Sequence, residues 1–586
     1  MIIAIGSSLP SFKTINFRDG LNILLADESE ISTEKQTRNS AGKSSVIEIV
    51  HFLLGADITQ GTPFVAKALA KSSFWGEFNI AGTRTRVTRH VNMADRVYVQ
   101  FDGQPETPLV QEGDLIEPYT SVRNWNTWLG HVLFRLPLHR ENTVYEDGGP
   151  TFRMLLPYFT RRRSNGGFLH PAKAFEKAPD PQAQTALSYM MGLDWTIVRA
   201  FEEAKQAKRE IDADAKNAIR ANPSLTTHAS VTAEHVLAQQ RAARLSQQIA
   251  DFQVEEHYHD LMKEATDSRL QAERLTREEV QYATAIKHIE ASVENEKRST
   301  LSDVERLYDA VGFQLPDSVR IGFENVAAFH ESVVTNRKFH LSQELERNQQ
   351  RLREIDVERR SHTTRQSEIY QSLKGKGAFG ELVDMQRRLA EVNQQVATLA
   401  MQKDALQKAE SNKSEHRKER INLKQRLDAD LAAREKAVRD ATLAVNEALN
   451  ALYEADRNKS LRIESTENGP RFIVHIDGNR SGGIANMEVF AMDYALFKLV
   501  SKSFGGPHFL IHDSHLFDGV DSRQVATALE IGGALANEMA GQYIVTMNSD
   551  VFKEMPFSEG FDASRHVLPV VLDDTTTGGL FGFRFE

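Results

Sequence analysis

The sequence contains no cysteine, which excludes disulfides, thiolate zinc sites and a cysteine nucleophile together. No apolar run approaches the roughly 20 residues needed to cross a bilayer as a helix. The start, Met1-Ile2-Ile3-Ala4-Ile5, has neither the basic n-region nor the cleavage site of a secretory signal, so the expected compartment is the cytoplasm. Proline and glycine are scarce in the middle of the chain. Between Trp195 and Gly469 there are two prolines, Pro223 and Pro316, and five glycines, which leaves a long segment free to be helical with few interruptions. All four tryptophans (Trp75, Trp125, Trp128, Trp195) precede that segment. An excess of positive charge is missing too: the net charge of -10 argues against a broadly basic nucleic-acid binder and leaves room only for a local basic track. At 586 residues the chain exceeds one compact core and predicts about three or four units.

What is present is organised around Arg38-Asn39-Ser40-Ala41-Gly42-Lys43-Ser44-Ser45, followed by the apolar Val46–Leu54 and preceded by the apolar run Leu21–Leu25. Strand, loop, Gly-Lys-Ser, helix is the context of a phosphate-binding P-loop. ATP bound there would lie on the first N–H groups of the helix, with Lys43 between the β- and γ-phosphates and the Ser44 hydroxyl on Mg²⁺. Two features depart from the pattern: Thr37 replaces the first glycine, and a mostly polar stretch separates strand from loop. The competing interpretation is a plain helix start with a serine near its cap.

Residues 1–195 read as mixed α/β, with strands at Ile2–Ile5, Lys13–Phe17, Leu21–Leu25, Phe74–Ile80, Thr85–Val91 and Val97–Phe101 and a helix at Lys43–Leu54. Arg84 and Arg86 share one face of a strand and Arg89 takes the other; solvated side chains compete with contacts to a polyanion. Arg161-Arg162-Arg163, next to Tyr158 and Phe159, is the candidate grip on a nucleic-acid backbone, with ordinary surface arginines as the alternative. Residues 196–305 and 329–455 are rich in Glu, Lys, Arg, Gln and Ala with spaced aliphatics. The register Leu382, Met385, Leu389, Val392, Val396, Leu399 is an a/d seam that needs a partner helix. Two arms of comparable length, each about 150–190 Å long at 1.5 Å per residue, fold back on one another through a tip at 306–328. Pro223 and the glycines near 375–380 act as joints. The tip lacks C-x-x-C and is no zinc hook, and His257 and His259 read as solvated. Residues 456–586 return to mixed structure: a hairpin around Asn468-Gly469, a helix opened by Ser481-Gly482-Gly483, the strand Phe509–His512 ending at Asp513, a helix over Asp521–Met539, and the strand Tyr543–Asn548.

A P-loop near one end, a strand-terminal aspartate near the other and a reversing coil between them bring the two ends together in one α/β head. In this order T-R-N-S-A-G-K-S-S, S-G-G, F-L-I-H-D-S, F-D-G-V-D and V-T-M-N, the chain resembles the SMC-type ABC ATPases, the class of chromosome-condensation and break-repair proteins and RecN. More narrowly, R-N-S-A-G-K-S with H-D-S-H-L-F-D-G-V-D and F-H-E-S-V-V-T-N-R resembles the YydD-type family, whose members are associated with three-component ABC systems of prokaryotic conflict and anti-phage defence. The resemblance implies a P-loop ABC-type head built from the N- and C-terminal parts with an antiparallel coiled coil inserted. Such heads form a homodimer around ATP and Mg²⁺, with accessory subunits and DNA as partners. Asp513 would hold Mg²⁺, Ser481, Gly482 and Gly483 would meet the γ-phosphate of a second head's ATP, and Asp521 would line that interface. Ser514 stands where the family carries a catalytic glutamate, leaving His515 or Asp518 as substitutes. Asn548 or Met547 stands at the switch-histidine position, Ile484 follows Ser-Gly-Gly, and Gln182 is the candidate Q-loop residue. Repair and a non-hydrolysing scaffold remain as alternative functions.

Overall fold

The computed structural model describes residues 1–27, 42–113, 118–139, 143–146, 148–220, 227–252, 259–295, 317–372, 379–477, 482–573, 575 and 577–583. They divide into two compact units, one drawn from Met1–Glu203, Thr300–Asn325 and Arg420–Glu586, the other from Ala204–Ser299 and Val326–Glu419.

The first unit contains the strands β1 (Ile2–Ser7), β2 (Ile15–Asn16), β3 (Gly20–Asp27), β4 (Ser73–Ile80), β5 (Thr83–His90), β6 (Met93–Phe101), β7 (Thr120–Ser121), β8 (Lys459–Thr466), β9 (Gly469–Ile476), β10 (Phe509–His512), β11 (Gln542–Asn548) and β12 (Leu572–Asp573). An antiparallel sheet takes the order β2-β1-β4-β5-β6-β7. Its strands alternate as a half-buried sheet must, β4 burying Phe74, Gly76, Phe78 and Ile80. The second sheet is parallel, in the order β10-β11-β3-β12. Buried on both faces, its central strands read as unbroken apolar runs. At its edge Thr160 bridges Ile511 in parallel, and the Ile511 N–H donates to the Phe159 carbonyl at 2.8 Å. The expected strand over Lys13–Phe17 is only two residues long, whereas β8 and β9 form the expected hairpin.

The helix Lys43–Leu53 lies against β4 and β5 of one sheet and β11 of the other, so Val46, Ile47, Ile49, Val50, Phe52 and Leu53 are all buried. The helix Gly482–Ser503 is apolar nearly all round and is buried from Met487 to Phe497. Its neighbour Glu435–Leu452 also packs into this core through Ala441, Ala444, Val445, Ala448, Leu449 and Leu452. That corrects the expected arm boundary at 455: the wide apolar face of this helix buries in the core of the first unit, not along a narrow two-helix seam.

In the second unit the arms run antiparallel. Arg365 pairs with Glu264 at 2.9 Å, Arg359 with Glu279 at 2.9 Å and Lys413 with Asp212 at 3.9 Å, so ascending positions on one arm meet descending positions on the other. Of the seam residues, Leu382, Leu389 and Leu399 are buried and Met385, Val392 and Val396 half-buried. The expected joints at Pro223 and 375–378 and the first part of the tip, residues 306–316, lie outside the described residues; helices resume at Asp317 and Phe379.

Candidate nucleotide site

Three neighbouring parallel strands, β3, β11 and β10, end at the same edge of their sheet, and a crevice at such an edge is where α/β proteins place ligands. Asp513 follows β10, Asn548 ends β11, and the helix opened by Gly42 follows β3. Ser44 Oγ donates to Asp513 Oδ2 at 2.6 Å, and Lys43 Nζ donates to Asn548 Oδ1. Residues separated by 469 and 505 positions are thereby in contact. The other carboxylate oxygen of Asp513 accepts from Thr546 Oγ1 at 3.0 Å and from Ser514 Oγ at 3.2 Å. Lys43 and Asp513 are 7% and 2% exposed, so both charges sit in a water-poor corner where a phosphate or a cation would be strongly felt. Gly42 has φ 85°, the left-handed region, and a Cβ there would stand 2.9 Å from Leu580 Cβ; the position requires glycine. Ser45 extends the first turn, its N–H donating to the Gly42 carbonyl at 3.0 Å. Arg38, Asn39, Ser40, Ala41 and Ser481 lie outside the described residues.

The far end of this helix is closed by side chains. Arg89 donates to the carbonyls of Phe52 and Ala56, Trp125 Nε1 to Leu53 (3.0 Å), Arg153 to Leu54 (2.9 Å) and Asn126 to Gly55 (3.2 Å). Arg89 is therefore neither solvated nor a polyanion contact: it is fully buried, and desolvation pulls its pKa down to about 9. Arg84 and Arg86, on the opposite face of β5, pair with Glu77 at 2.5 and 3.0 Å.

The arginine run is a correction. Arg161 is fully buried, its guanidinium held by Asp493 (2.7 Å) and by the carbonyls of Gly167, His170, Pro171 and Lys173. Arg162 is buried against Glu48 at 3.0 Å, whose other oxygen accepts from Ser164 Oγ at 3.2 Å. Burial lowers the Arg162 pKa and raises that of Glu48. Arg163 alone is exposed, so the three do not form a track for nucleic acid. Asp493 also meets His512 Nε2 at 3.2 Å, and His512 Nδ1 lies 3.1 Å from the Tyr543 hydroxyl, tying β10 and β11 to the helix Gly482–Ser503.

Gly482 opens that helix, and Gly483 abuts the turn after β10: a Cβ on it would stand 2.4 Å from the Gly519 carbonyl. Asn486 Nδ2 donates to the Asp518 carbonyl at 3.0 Å. Asp521 caps the helix Ser522–Glu538, accepting from the Arg523 N–H at 2.9 Å, and remains exposed. His515, on the short helix Ser514–Phe517, sits 2.7 Å from Asp518 Oδ2. Gln182 lies in the first turn of Asp180–Met190, a helix packed on β9, and no hydrogen bond among the described residues joins its side chain to this crevice. Sequence reasoning missed Thr546 and Glu48. Thr546 precedes Asn548 by two along one strand and so shares its face; for Glu48 the sequence carries no signal, since its partners are over a hundred positions away.

Residues 284–411 match the family described as C-terminal domain 10 of the ABC-three component (ABC-3C) systems, and residues 448–585 match an uncharacterised protein family conserved in bacteria, DUF2326. The match at 284–411 bears out the resemblance to proteins of three-component ABC systems read from the motifs. No curated protein matches the chain. Among solved structures, the Smc head domain with a coiled coil and joint from Pyrococcus yayanosii is similar at 13% identity and a TM-score of 0.33, over 94% of this chain and 93% of that one. The Smc head domain with an extended coiled coil bound to the C-terminal domain of ScpA from Pyrococcus furiosus is similar at 11% and 0.30, over 94% and 90%.

Proposed function

We propose that this chain is the SMC-like ATPase of a three-component ABC system: it binds ATP in the crevice at Lys43 and Asp513, hydrolyses it slowly, and pairs its head with that of a second copy around the nucleotide. One observation carries the proposal, the meeting of Lys43, Ser44, Asp513 and Asn548 at the ends of adjacent parallel strands from opposite ends of the sequence.

In this reading the N–H groups at the start of the helix Lys43–Leu53, with those of Arg38–Ala41, bind the phosphates, and the helix dipole favours the negative charge. Lys43 leaves Asn548 to lie between the β- and γ-phosphates, and Asn548, released, contacts the terminal phosphate. The Ser44 hydroxyl and the Asp513 carboxylate are hard oxygen donors in mutual contact, a set that suits Mg²⁺. The ion, when bound, neutralises phosphate charge. Thr546 and Ser514 fix the orientation of Asp513. Ser481 with the Gly482 and Gly483 amides offers a second helix start to ATP held by the partner head, beside Asp521. The proposed setting is anti-phage or conflict defence, with accessory subunits and DNA, as the family resemblance implies; the DNA contact does not use Arg161 or Arg162. RecN-like repair would employ the same head.

ATP turnover and ATP-dependent self-association, followed in wild type and Lys43→Ala, test the reading. Both should be lost in the variant; turnover that persists in Lys43→Ala overturns it. Ser514 favours one other outcome, a nucleotide-gated scaffold, which ATP-dependent pairing without phosphate release would select.

A further inference from the structure

In the second unit three helices, His259–Asn295, Asp317–Ser372 and Phe379–Ala433, surround a cavity of about 930 Å³. Small-molecule sites occupy roughly 300–1,000 Å³, whereas knobs-into-holes packing of aliphatic side chains fills a helical seam. One residue of the wall departs from the chemistry of such a seam. Gln386 takes the core position between Leu382 and Leu389 and is 2% exposed, while the apolar Met385 beside it is only half-buried. Neither Oε1 nor Nε2 of Gln386 has a hydrogen-bond partner among the described residues. An amide buried with both its donor and its acceptor unused destabilises the coil relative to an apolar side chain of the same size. Arg269 adds a second unused donor to the same wall, its Nε.

The rest of the lining selects against a charged ligand. Arg269 pairs with Glu273, Arg359 with Glu279 at 2.9 Å and Arg387 with Asp384 at 3.3 Å, and Glu391 contributes a carboxylate, so no unmatched positive charge among these residues is left for a phosphate. Tyr370 brings an aromatic ring to the wall, and burial raises its pKa, so the hydroxyl stays protonated. A trans peptide group holds its N–H and C=O on opposite edges and cannot meet both ends of one amide. A nucleobase carries donor and acceptor side by side on one rigid edge, and a glutamine amide reads the amino group and ring nitrogen of adenine in two parallel hydrogen bonds. The remaining ring nitrogens of adenine are acceptors, which suits the Arg269 donor.

We propose that this cavity binds an adenine nucleoside, with the edge of the base on the Gln386 amide. The site lies wholly within the second unit, uses none of the residues of the crevice at Lys43 and Asp513, and is independent of the ATPase reading.

Titration calorimetry of the full-length chain with adenosine tests it, because adenosine has no phosphate to engage Lys43. Wild type and Lys43→Ala should bind adenosine with affinities within about twofold of one another. Gln386→Met, close in length and volume but without the amide, should weaken binding by about tenfold or more, and its unfolding midpoint in urea should equal or exceed that of wild type. Purine riboside differs from adenosine only in lacking the 6-amino donor. It should bind wild type about tenfold or more weakly than adenosine does, a comparison that needs no variant to fold. No adenosine binding at about 1 mM, the result for a cavity that holds water alone, overturns the proposal. So does binding that Lys43→Ala removes and Gln386→Met does not, which would put adenosine in the crevice. A lowered midpoint in Gln386→Met also overturns it, since the amide would then already have a partner within the fold.

Discussion

At the carboxyl end of the helix Lys43–Leu53 the carbonyls of Phe52, Leu53, Leu54, Gly55 and Ala56 are all taken by side chains, among them the buried Arg89 and the half-buried Arg153. At the amino end Gly42 opens the helix with no side-chain cap and no acidic residue in the first turn. A helix leaves unpaired N–H groups at its start and carbonyls at its finish, with partial charge of opposite sign at the two ends. Here the negative end is satisfied by the protein, and among the described residues no side chain caps the positive end, where the proposed function seats a phosphate. On the proposed function, the same eleven residues divide into a half that supports the fold and a half that serves chemistry.

The sharpest way to break this contrast is at the closed end. Arg89→Ala removes donors from three carbonyls, those of Phe52, Ala56 and Ala94, in a site that water does not reach. It should cost about 3 kcal/mol or more of stability, read as a lowered midpoint in denaturant unfolding. A loss below about 1 kcal/mol would mean that the carbonyls find other partners. The open end should respond in the reverse sense. Lys43→Ala should weaken ATP binding by about a hundredfold yet leave the unfolding midpoint of the nucleotide-free protein near that of wild type. Titration calorimetry and the same unfolding curve, run side by side, decide whether binding and stability separate at the two ends. Gly42→Ala lies between these extremes. A left-handed φ with a Cβ 2.9 Å from Leu580 should cost about 1–2 kcal/mol and disturb the first helical amides.

The contrast was half legible in sequence. Gly42-Lys43-Ser44 following an apolar strand announced the amino end, because chemistry at a helix start needs particular residues at fixed local spacing. The apolar runs of β3, β10 and β11 and the a/d seam from Leu382 to Leu399 were readable for the same reason: their periods are local. The carboxyl end was not. Arg89, Trp125, Asn126 and Arg153 come from separate segments, and nothing in a lone arginine tells a carbonyl-capping one from a solvated one. Arg161-Arg162-Arg163 shows the cost of that blindness. Three like charges in a row read as surface, but Asp493 is 332 positions from Arg161 and Glu48 lies in the helix Lys43–Leu53, so Arg161 and Arg162 form an internal brace and only Arg163 is exposed. The short strand contact of Thr160 with Ile511, which sets the brace beside Asp513, is equally invisible in a sequence rich in proline and aromatics there.

The smallest expected effect is also the finest probe of the closed end. A histidine in the last turn of a helix is ordinarily easier to protonate, since the carbonyls favour a cation. His51 occupies that turn, yet its pKa is held well below the usual histidine value, first by desolvation and then by the charges of Arg162 and Arg153. Its Nε2 lies 2.7 Å from the Thr160 carbonyl and its Nδ1 3.3 Å from Arg153 Nη2, so the neutral ring donates to one and accepts from the other. The arginines have already taken the cation's place. In the unfolded chain the same ring takes up a proton near its ordinary value of about 6.5, so the stability that the neutral ring secures is present above that pH and is lost as pH falls below it toward the folded-state value. Urea midpoints measured between about pH 7 and pH 5.5 should fall more steeply for wild type than for His51→Gln, which retains a donor toward Thr160 without a titrating ring. Equal slopes would show that His51 can accept a proton in place, and that the carboxyl end is less completely closed than its hydrogen bonds imply.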